Sequence, residues 1–206
     1  MARPKDFESA LKYASRLHAK QTRKGSDAPY VSHLLAVAAI VLEHGGTEKE
    51  GIAALLHDAV EDQGGQATLV EIRRRYGKRV AGIVAACSDT DQLPKPPWHE
   101  RKEAYVKRLR SEPYSVRLVV AADKLHNARH LLSSYRVQGE DLWPHFKGGR
   151  EGTLWYYRAV VDALVAAAEP GENQLRAILD EIERTLATLQ LAMAEQDLTA
   201  PSTDLS

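Results

Sequence analysis

Apolar residues recur along most of the chain at the three- and four-residue spacing that is typical of amphipathic α-helices. No stretch shows the strict apolar–polar alternation of a half-buried strand, and the sequence has no internal repeat. The last residues, 195–206, are polar and expected to be disordered. The pattern predicts an all-α fold, a single bundle of about eight to ten helices. The helices are predicted over residues 6–20, 32–44, 52–62, 68–76, 78–86, 99–110, 113–134, 150–169 and 173–194.

The stretch 52–62, IAALLHDAVED, is predicted as a helix whose apolar first half faces the core. It contains His57 and Asp58, and Glu61 and Asp62 follow one turn later. Residues three and four positions apart share a helix face, so three carboxylates crowd one patch. The patch lies near the C-terminal end of the helix, where the helix dipole disfavours negative charge. A bound divalent metal such as manganese, zinc or iron would resolve this conflict. The alternative is a buried helix whose charged end faces water.

Asp123 is the second candidate metal ligand, because it lies in the strongly apolar stretch SVRLVVAADKLHNARHLL. A carboxylate in such surroundings is costly unless it is paired or bound to a metal. A salt bridge to Arg117 or Lys124, or a position on the outward face of the helix, is the alternative interpretation. His126 and Asn127 follow three and four positions later, so they can face the same way as Asp123.

Further candidates lie in the first third of the chain. His33 begins a predicted helix, where the dipole favours the neutral imidazole that metals require, although a capping or surface histidine is the alternative. Arg23 and Lys24 precede a Gly- and Pro-containing loop that Tyr30 closes. Two cations beside a turn suit phosphate binding, but short basic pairs are usually only solvated.

The composition restricts the partners and the compartment. Lys and Arg together number 28, as do Asp and Glu, so no overall field favours nucleic acid or an anionic membrane. The single cysteine, Cys87, excludes an intramolecular disulfide and fits a reducing compartment. The charged start of the chain lacks an apolar signal core, and nowhere do 18 apolar residues run together. We therefore expect a cytoplasmic protein without a nucleic-acid or membrane partner.

Three blocks of the sequence, HAKQTRKGSDAPYVSH, LLHDAVED and AADKLHN, resemble in order the signature blocks of the HD-domain alarmone hydrolases. These are the hydrolase domains of the RelA/SpoT-type enzymes and their stand-alone relatives. The resemblance covers roughly residues 7–168, and the HD-x-x-ED form separates this branch from generic HD phosphohydrolases. It implies one HD-type domain, expected over residues 1–194, without a synthetase domain. The resemblance assigns no function to the additional helix over 173–194.

The resemblance also implies one Mn²⁺ ion and a role for each candidate residue. The metal ligands would be His33, His57, Asp58 and Asp123, and Glu61 and Asp62 would act on the attacking water. Positions of the nucleotide pocket fall on Arg23, Lys24, Tyr30 and Asn127. Positions that hold the 5′ phosphates correspond more loosely to Lys95 and Arg150, with Arg101 and Lys102 as alternatives to Lys95.

The activity that the resemblance implies is hydrolysis of the 3′-pyrophosphate of (p)ppGpp, the alarmone of the stringent response, which gives GDP or GTP and pyrophosphate. Three alternatives remain open: a phosphohydrolase acting on (p)ppApp or another nucleotide, a non-catalytic nucleotide sensor, and a di-iron HD oxygenase. Nothing in the residues distinguishes guanine from adenine, and the sequence does not predict the oligomeric state.

Overall fold

The computed structural model describes residues 4–90 and 94–199, and in these ranges the chain is helical without a β-strand. The all-α prediction is therefore confirmed. No helix in the described ranges is both long and apolar enough to cross a lipid bilayer. A short 3₁₀-helix, Gly139–His145, accompanies the α-helices. These are α1 (Pro4–Leu17), α2 (Val31–Glu43), α3 (Glu48–Leu56), α4 (Ala59–Asp62), α5 (Gly65–Cys87), α6 (Trp98–Leu109), α7 (Tyr114–Gln138), α8 (Gly149–Ala167) and α9 (Asn173–Thr199).

The observed helices differ from the predicted ones in several places. The helix predicted over 52–62 is interrupted at His57 and Asp58, where α3 ends and α4 begins. The helices predicted over 68–76 and 78–86 are two halves of α5, which is kinked at Gly77 (φ 87°, ψ 174°). Helix α9 continues to Thr199, so the tail expected to be disordered is helical up to that residue, and residues 200–206 lie outside the described part.

Helix α7 is the central element of the bundle and packs against α2, α3, α5, α8 and α9. Its residues from Val116 to Ala122 are almost completely buried, which explains why the sequence there is nearly continuously apolar. Helix α9 covers one side of α7 with a stripe of leucines and isoleucines that are buried as the pattern predicted. This packing holds Asp123, in the middle of α7, inside the protein.

Glu50 fixes the start of α3 relative to α7. Its Oε2 accepts hydrogen bonds from the backbone N–H and the hydroxyl of Thr47, at 2.6 and 2.9 Å. Its Oε1 accepts a hydrogen bond of 2.5 Å from Ser115, in the first turn of α7. The helices that carry His57 and Asp123 are thereby joined at their N-terminal ends.

The segment between α1 and α2 folds back on itself next to the start of α2. The N–H of Arg23 donates to the carbonyl of Ala28, and the N–H of Tyr30 donates to the carbonyl of Gln21, both at 2.9 Å. Gly25 supplies the positive φ (72°) that this tight turn requires. The turn fixes the positions of Gln21 beside Asp62, Tyr30 beside Asp58 and Arg23 beside Asn127.

Candidate active site

Four side chains from distant parts of the sequence converge at the junction of α2, α3 and α7. Nε2 of His33 lies 3.3 Å from Nε2 of His57, 3.6 Å from Oδ2 of Asp58 and 3.2 Å from Oδ1 of Asp123. Nε2 of His57 lies 2.9 Å from Asp58 Oδ2 and 3.5 Å from Asp123 Oδ1. The four residues predicted as metal ligands are thus neighbours, and both histidines are buried.

The hydrogen bonds of the histidines leave their Nε2 atoms directed at this common point. Nδ1 of His57 lies 2.7 Å from the carbonyl oxygen of Ala54, so Nδ1 carries a proton, and Nε2 is the ring nitrogen that faces Asp58 and Asp123. Nδ1 of His33 lies 2.8 Å from Nδ1 of His126, a histidine whose pKa burial and nearby positive charges lower to about 4. His126 therefore faces His33 as a neutral ring.

The donor set fits a divalent metal ion. The ligand atoms of His33, His57 and Asp58 lie within 4.8 Å of one another. Imidazole nitrogens and carboxylate oxygens are ligands that divalent transition metals accept, and a cation among them would take the place of the proton that a histidine shares with a carboxylate at these distances. Oδ1 of Asp123 faces the same point.

Asp123 forms the predicted ion pair with Lys124 and also faces the two histidines. Its Oδ2 accepts a hydrogen bond of 2.6 Å from Nζ of Lys124, while its Oδ1 faces the histidines and accepts one of 2.5 Å from Asn127. Burial alone would raise the pKa of the Asp123 carboxyl, but the ammonium of Lys124 together with His33 and His57 outweighs burial and holds that pKa well below its ordinary value. The carboxylate is therefore ionised, as a metal ligand requires.

Tyr30 supports the second carboxylate of the cluster. Its hydroxyl donates a hydrogen bond of 2.5 Å to Oδ2 of Asp58. Burial, together with the negative charge of Asp58, raises the pKa of Tyr30, so the hydroxyl keeps its proton and remains a donor. Tyr30, predicted as a nucleotide-pocket residue, also lines the neighbouring cavity.

A cavity of about 430 Å³ opens beside the cluster and is large enough for a nucleotide. The two predicted catalytic carboxylates line it. Glu61 forms an ion pair of 3.1 Å with Lys95, and Asp62 accepts a hydrogen bond of 2.8 Å from Gln21. The surrounding protein and the charges of Asp58 and Glu61 raise the pKa of the Asp62 carboxyl. The predicted substrate-binding residues that line the same cavity are Arg23, Lys24, Tyr30, Lys95 and Asn127.

Arg150 is the predicted site residue that the structure does not bring to the cavity. It lies in the first turn of α8 and forms ion pairs of 3.1 Å with Glu140 and with Asp197. These two carboxylates, one in the 3₁₀-helix and one near the end of α9, hold its guanidinium away from the cavity lining. Asp197 lies beyond the stretch that carries the family resemblance, so the resemblance could not indicate this pairing.

Comparisons with known proteins identify the family of the chain. Residues 10–154 match the HD domain family. The guanosine-3′,5′-bis(diphosphate) 3′-pyrophosphohydrolase MESH1 of Xenopus tropicalis is 38% identical over 144 residues, which are 65% of this chain and 78% of that protein. This chain belongs to the HD-domain family, in its alarmone hydrolase branch. Membership of the family implies that a divalent metal is bound.

Other members of the family cover the chain to different extents. The bifunctional (p)ppGpp synthase/hydrolase SpoT of Escherichia coli K12 is 34% identical over 210 residues, but these are only 29% of that protein. A solved structure of a metazoan ortholog of SpoT, described as hydrolysing ppGpp, superimposes with a TM-score of 0.72 at 28% identity. The superposition covers 89% of this chain and 97% of the metazoan chain. A solved structure from Listeria monocytogenes EGD-e gives a TM-score of 0.66 at 30% identity.

A cluster of cations on the cavity wall was only partly visible in the sequence. Asp89 is buried, and its Oδ2 accepts hydrogen bonds from Arg101 and, at 2.7 Å, from Lys102. Nζ of Lys102 and Nζ of Lys124 lie 4.6 and 5.3 Å from the ring of Tyr156. The sequence offered Arg101 and Lys102 as alternatives to Lys95, and all three line the cavity. Neither Asp89 nor Tyr156 was predicted, because their partners are distant in the sequence.

Proposed function

We propose that this chain removes the 3′-pyrophosphate from (p)ppGpp, with Mn²⁺ held by His33, His57, Asp58 and Asp123. The observation that carries the proposal is the convergence of these four side chains beside a cavity with carboxylates and cations in its wall. The relatives are named as 3′-pyrophosphohydrolases of guanosine-3′,5′-bis(diphosphate), which supports the choice of substrate. A cytoplasmic location is part of the proposal, because the single cysteine favours a reducing compartment.

In the proposed reaction, water adds to the phosphorus that is bonded to the 3′ oxygen, and the bond between that phosphorus and the 3′ oxygen breaks. One proton of the water ends on the 3′ oxygen, so that ppGpp and water give GDP and pyrophosphate. Mn²⁺, when bound, supplies Lewis-acid stabilisation of the negative charge that develops on the phosphate oxygens.

Glu61 and Asp62 would orient the attacking water and accept its proton. Both carboxylates line the cavity next to Asp58. Nζ of Lys95 lies 3.1 Å from Oε1 of Glu61 and holds that carboxylate in place at the cavity wall. A pair of this kind is not required for nucleotide binding alone, so its presence favours catalysis over a non-catalytic sensor.

The cations of the cavity wall would bind the nucleotide and its phosphates. The guanidinium of Arg23 is fixed by Asn127 at 2.6 Å and lies 5.6 Å from the centre of the Tyr30 ring, so that a planar stack could extend to a base. Lys24, Lys95 and Lys102 line the cavity as point charges suited to phosphate oxygens. Arg23 stacking does not read the edges of a base, so ppApp belongs in the same substrate test.

The test is the release of pyrophosphate from ppGpp and from ppApp in the presence of Mn²⁺. We expect turnover of ppGpp by the parent chain and a loss of about 10²–10⁴-fold in kcat for Glu61→Ala, because a positioned proton acceptor contributes that much. Glu183→Ala, which removes an exposed glutamate of α9, is the matched control and should retain the parent rate. Undetectable pyrophosphate release, or a Glu61→Ala variant as active as the control, would refute the proposed function.

A further inference from the structure

Gln21 is a cavity-lining residue that contacts one of the two proposed catalytic carboxylates. Its Nε2 donates a hydrogen bond of 2.8 Å to Oδ2 of Asp62. Its Oε1 lies 2.7 Å from Nε2 of Gln63 and 2.7 Å from Nδ1 of His18. The side-chain amide of Gln21 therefore connects Asp62 to His18, which follows α1, and to Gln63, which follows α4.

The orientation of this amide follows from hydrogen-bond chemistry. An ionised carboxylate only accepts hydrogen bonds, so the NH₂ group of Gln21 must face Asp62. The amide oxygen then faces two donors, the NH₂ group of Gln63 and the Nδ1–H of His18. The reversed amide would set its oxygen against the oxygen of Asp62, so the observed orientation is strongly favoured.

The backbone around Gln21 is equally well fixed. Its N–H donates to the carbonyl of His18 at 3.0 Å, and its carbonyl accepts from the N–H of Tyr30 at 2.9 Å. The buried ring of His18 stacks on the ring of Tyr30, with centroids 5.2 Å apart and planes at 17°. Tyr30 in turn donates to Asp58. Gln21 thus projects from a rigid support that also contacts the metal cluster.

We propose that Gln21 is a positioning residue that holds the Asp62 carboxylate in the orientation in which it acts on the attacking water. The inference rests on the proposed function, in which Asp62 acts together with Glu61. The negative charges of Asp58 and Glu61 repel the Asp62 carboxylate, and the hydrogen bond from Gln21 opposes its rotation out of the cavity. Gln21 acts through Asp62 and does not touch the reacting atoms.

A first test uses thermal unfolding and needs no substrate. Gln21→Glu keeps an oxygen for Gln63 and His18 but sets a second carboxylate against Asp62, and we expect Tm to fall by at least about 2 °C. The double variant Gln21→Glu/Asp62→Asn exchanges donor and acceptor, and it should regain at least half of that loss. Gln190→Glu, on the exposed face of α9, is the matched control and should leave Tm unchanged. Absence of any regain in the double variant would refute the contact.

A second test uses pyrophosphate release from ppGpp. Gln21→Met keeps the length of the side chain and removes both hydrogen-bonding groups, and we expect kcat to fall about tenfold while KM changes less than about twofold, because a misplaced catalytic group lowers kcat. In an Asp62→Ala background the same substitution should no longer change kcat, because Gln21 has nothing left to hold. A purely structural role would give the same loss in both backgrounds, and that result would overturn the proposal.

The two tests separate the failure of this inference from the failure of the proposed function. If the parent chain releases no pyrophosphate from ppGpp, the proposed function is wrong, and the melting temperatures alone decide whether Gln21 holds Asp62. If the parent is active but Gln21→Met raises KM and leaves kcat unchanged, the proposed function stands. Gln21 is then a substrate-binding residue, and the positioning role is refuted.

Discussion

Asn127 donates a hydrogen bond of 2.5 Å from its Nδ2 to Oδ1 of Asp123. The Oδ1 of the same amide accepts a hydrogen bond of 2.6 Å from the guanidinium of Arg23. Asn127 therefore connects a proposed metal ligand to a proposed nucleotide-binding cation. Asparagine suits this place because its side chain offers a donor to the carboxylate and an acceptor to the guanidinium, which neither aspartate nor leucine does.

Replacing Asn127 by leucine should weaken both functions of the site. The affinity for Mn²⁺ should fall about 10- to 100-fold, as is usual when the hydrogen-bond partner of a metal ligand is removed. KM for ppGpp should rise as well, because Arg23 loses the group that fixes its guanidinium. Isothermal titration with Mn²⁺ measures the first effect, with Gln190→Leu on exposed α9 as control. An unchanged Mn²⁺ affinity would show that Asn127 serves the nucleotide alone.

Lys95 and Arg150 should behave differently although both were predicted to bind the 5′ phosphates. Lys95 lines the cavity, and Lys95→Ala should raise KM for ppGpp by about tenfold or more, the value of a charge-assisted hydrogen bond. Arg150 is engaged with Glu140 and Asp197 at the surface, so Arg150→Ala should leave KM nearly unchanged. It should reduce the free energy of unfolding by about 1 kcal/mol or less, as exposed ion pairs do. Steady-state kinetics that gave the reverse order would contradict the placement of Arg150.

Asp89 should make the stability of the chain depend on pH. Burial alone would raise its pKa, but the charges of Lys102 and Arg101 outweigh burial and hold the pKa below the ordinary value of 3.8. Because the folded-state pKa is the lower one, ionised Asp89 stabilises the folded chain above the unfolded-state pKa, and this contribution is lost as pH falls through the folded-state pKa. Asp89→Asn should therefore cost about 3 kcal/mol at pH 7, as expected for breaking a buried pair.

The same variant should differ less from the parent in acid. Urea unfolding of both chains between pH 7 and about pH 3 measures how the difference in unfolding free energy narrows as Asp89 becomes protonated. A difference that stayed constant over this range would mean that Asp89 contributes through packing and not through its charge.

The fold was predictable where a local pattern decides it. Periodic apolar residues gave the helices, and the apolar stripe of α9 is buried as predicted. The interruption at His57 and Asp58 was not predicted, because both residues have right-handed helical dihedral angles and only the hydrogen-bond ladder changes there. The extension of α9 to Thr199 was missed because its last turns are polar. An ion pair such as Arg150–Asp197 joins residues that no local pattern connects.

The candidate site was predictable to the extent that its residues resemble a known family. The residues predicted as metal ligands converge, yet residue types alone could not decide between a metal ligand and an ion pair for Asp123, whose Oδ1 faces the histidines and whose Oδ2 pairs with Lys124. Supporting residues such as Gln21, His18 and Asp89 were missed. Their roles depend on partners brought close by the tertiary structure, and in the sequence they are ordinary polar residues.

The most direct test of the central claim measures pyrophosphate release from ppGpp. The chain is first treated with a chelator, and the release is measured before and after Mn²⁺ is added. We expect no release after chelation, full recovery with Mn²⁺ for the parent, and no recovery for Asp123→Ala, which removes one of the four converging ligands. Release that survives chelation, or an Asp123→Ala variant that recovers like the parent, would contradict a metal-dependent hydrolase built on these residues.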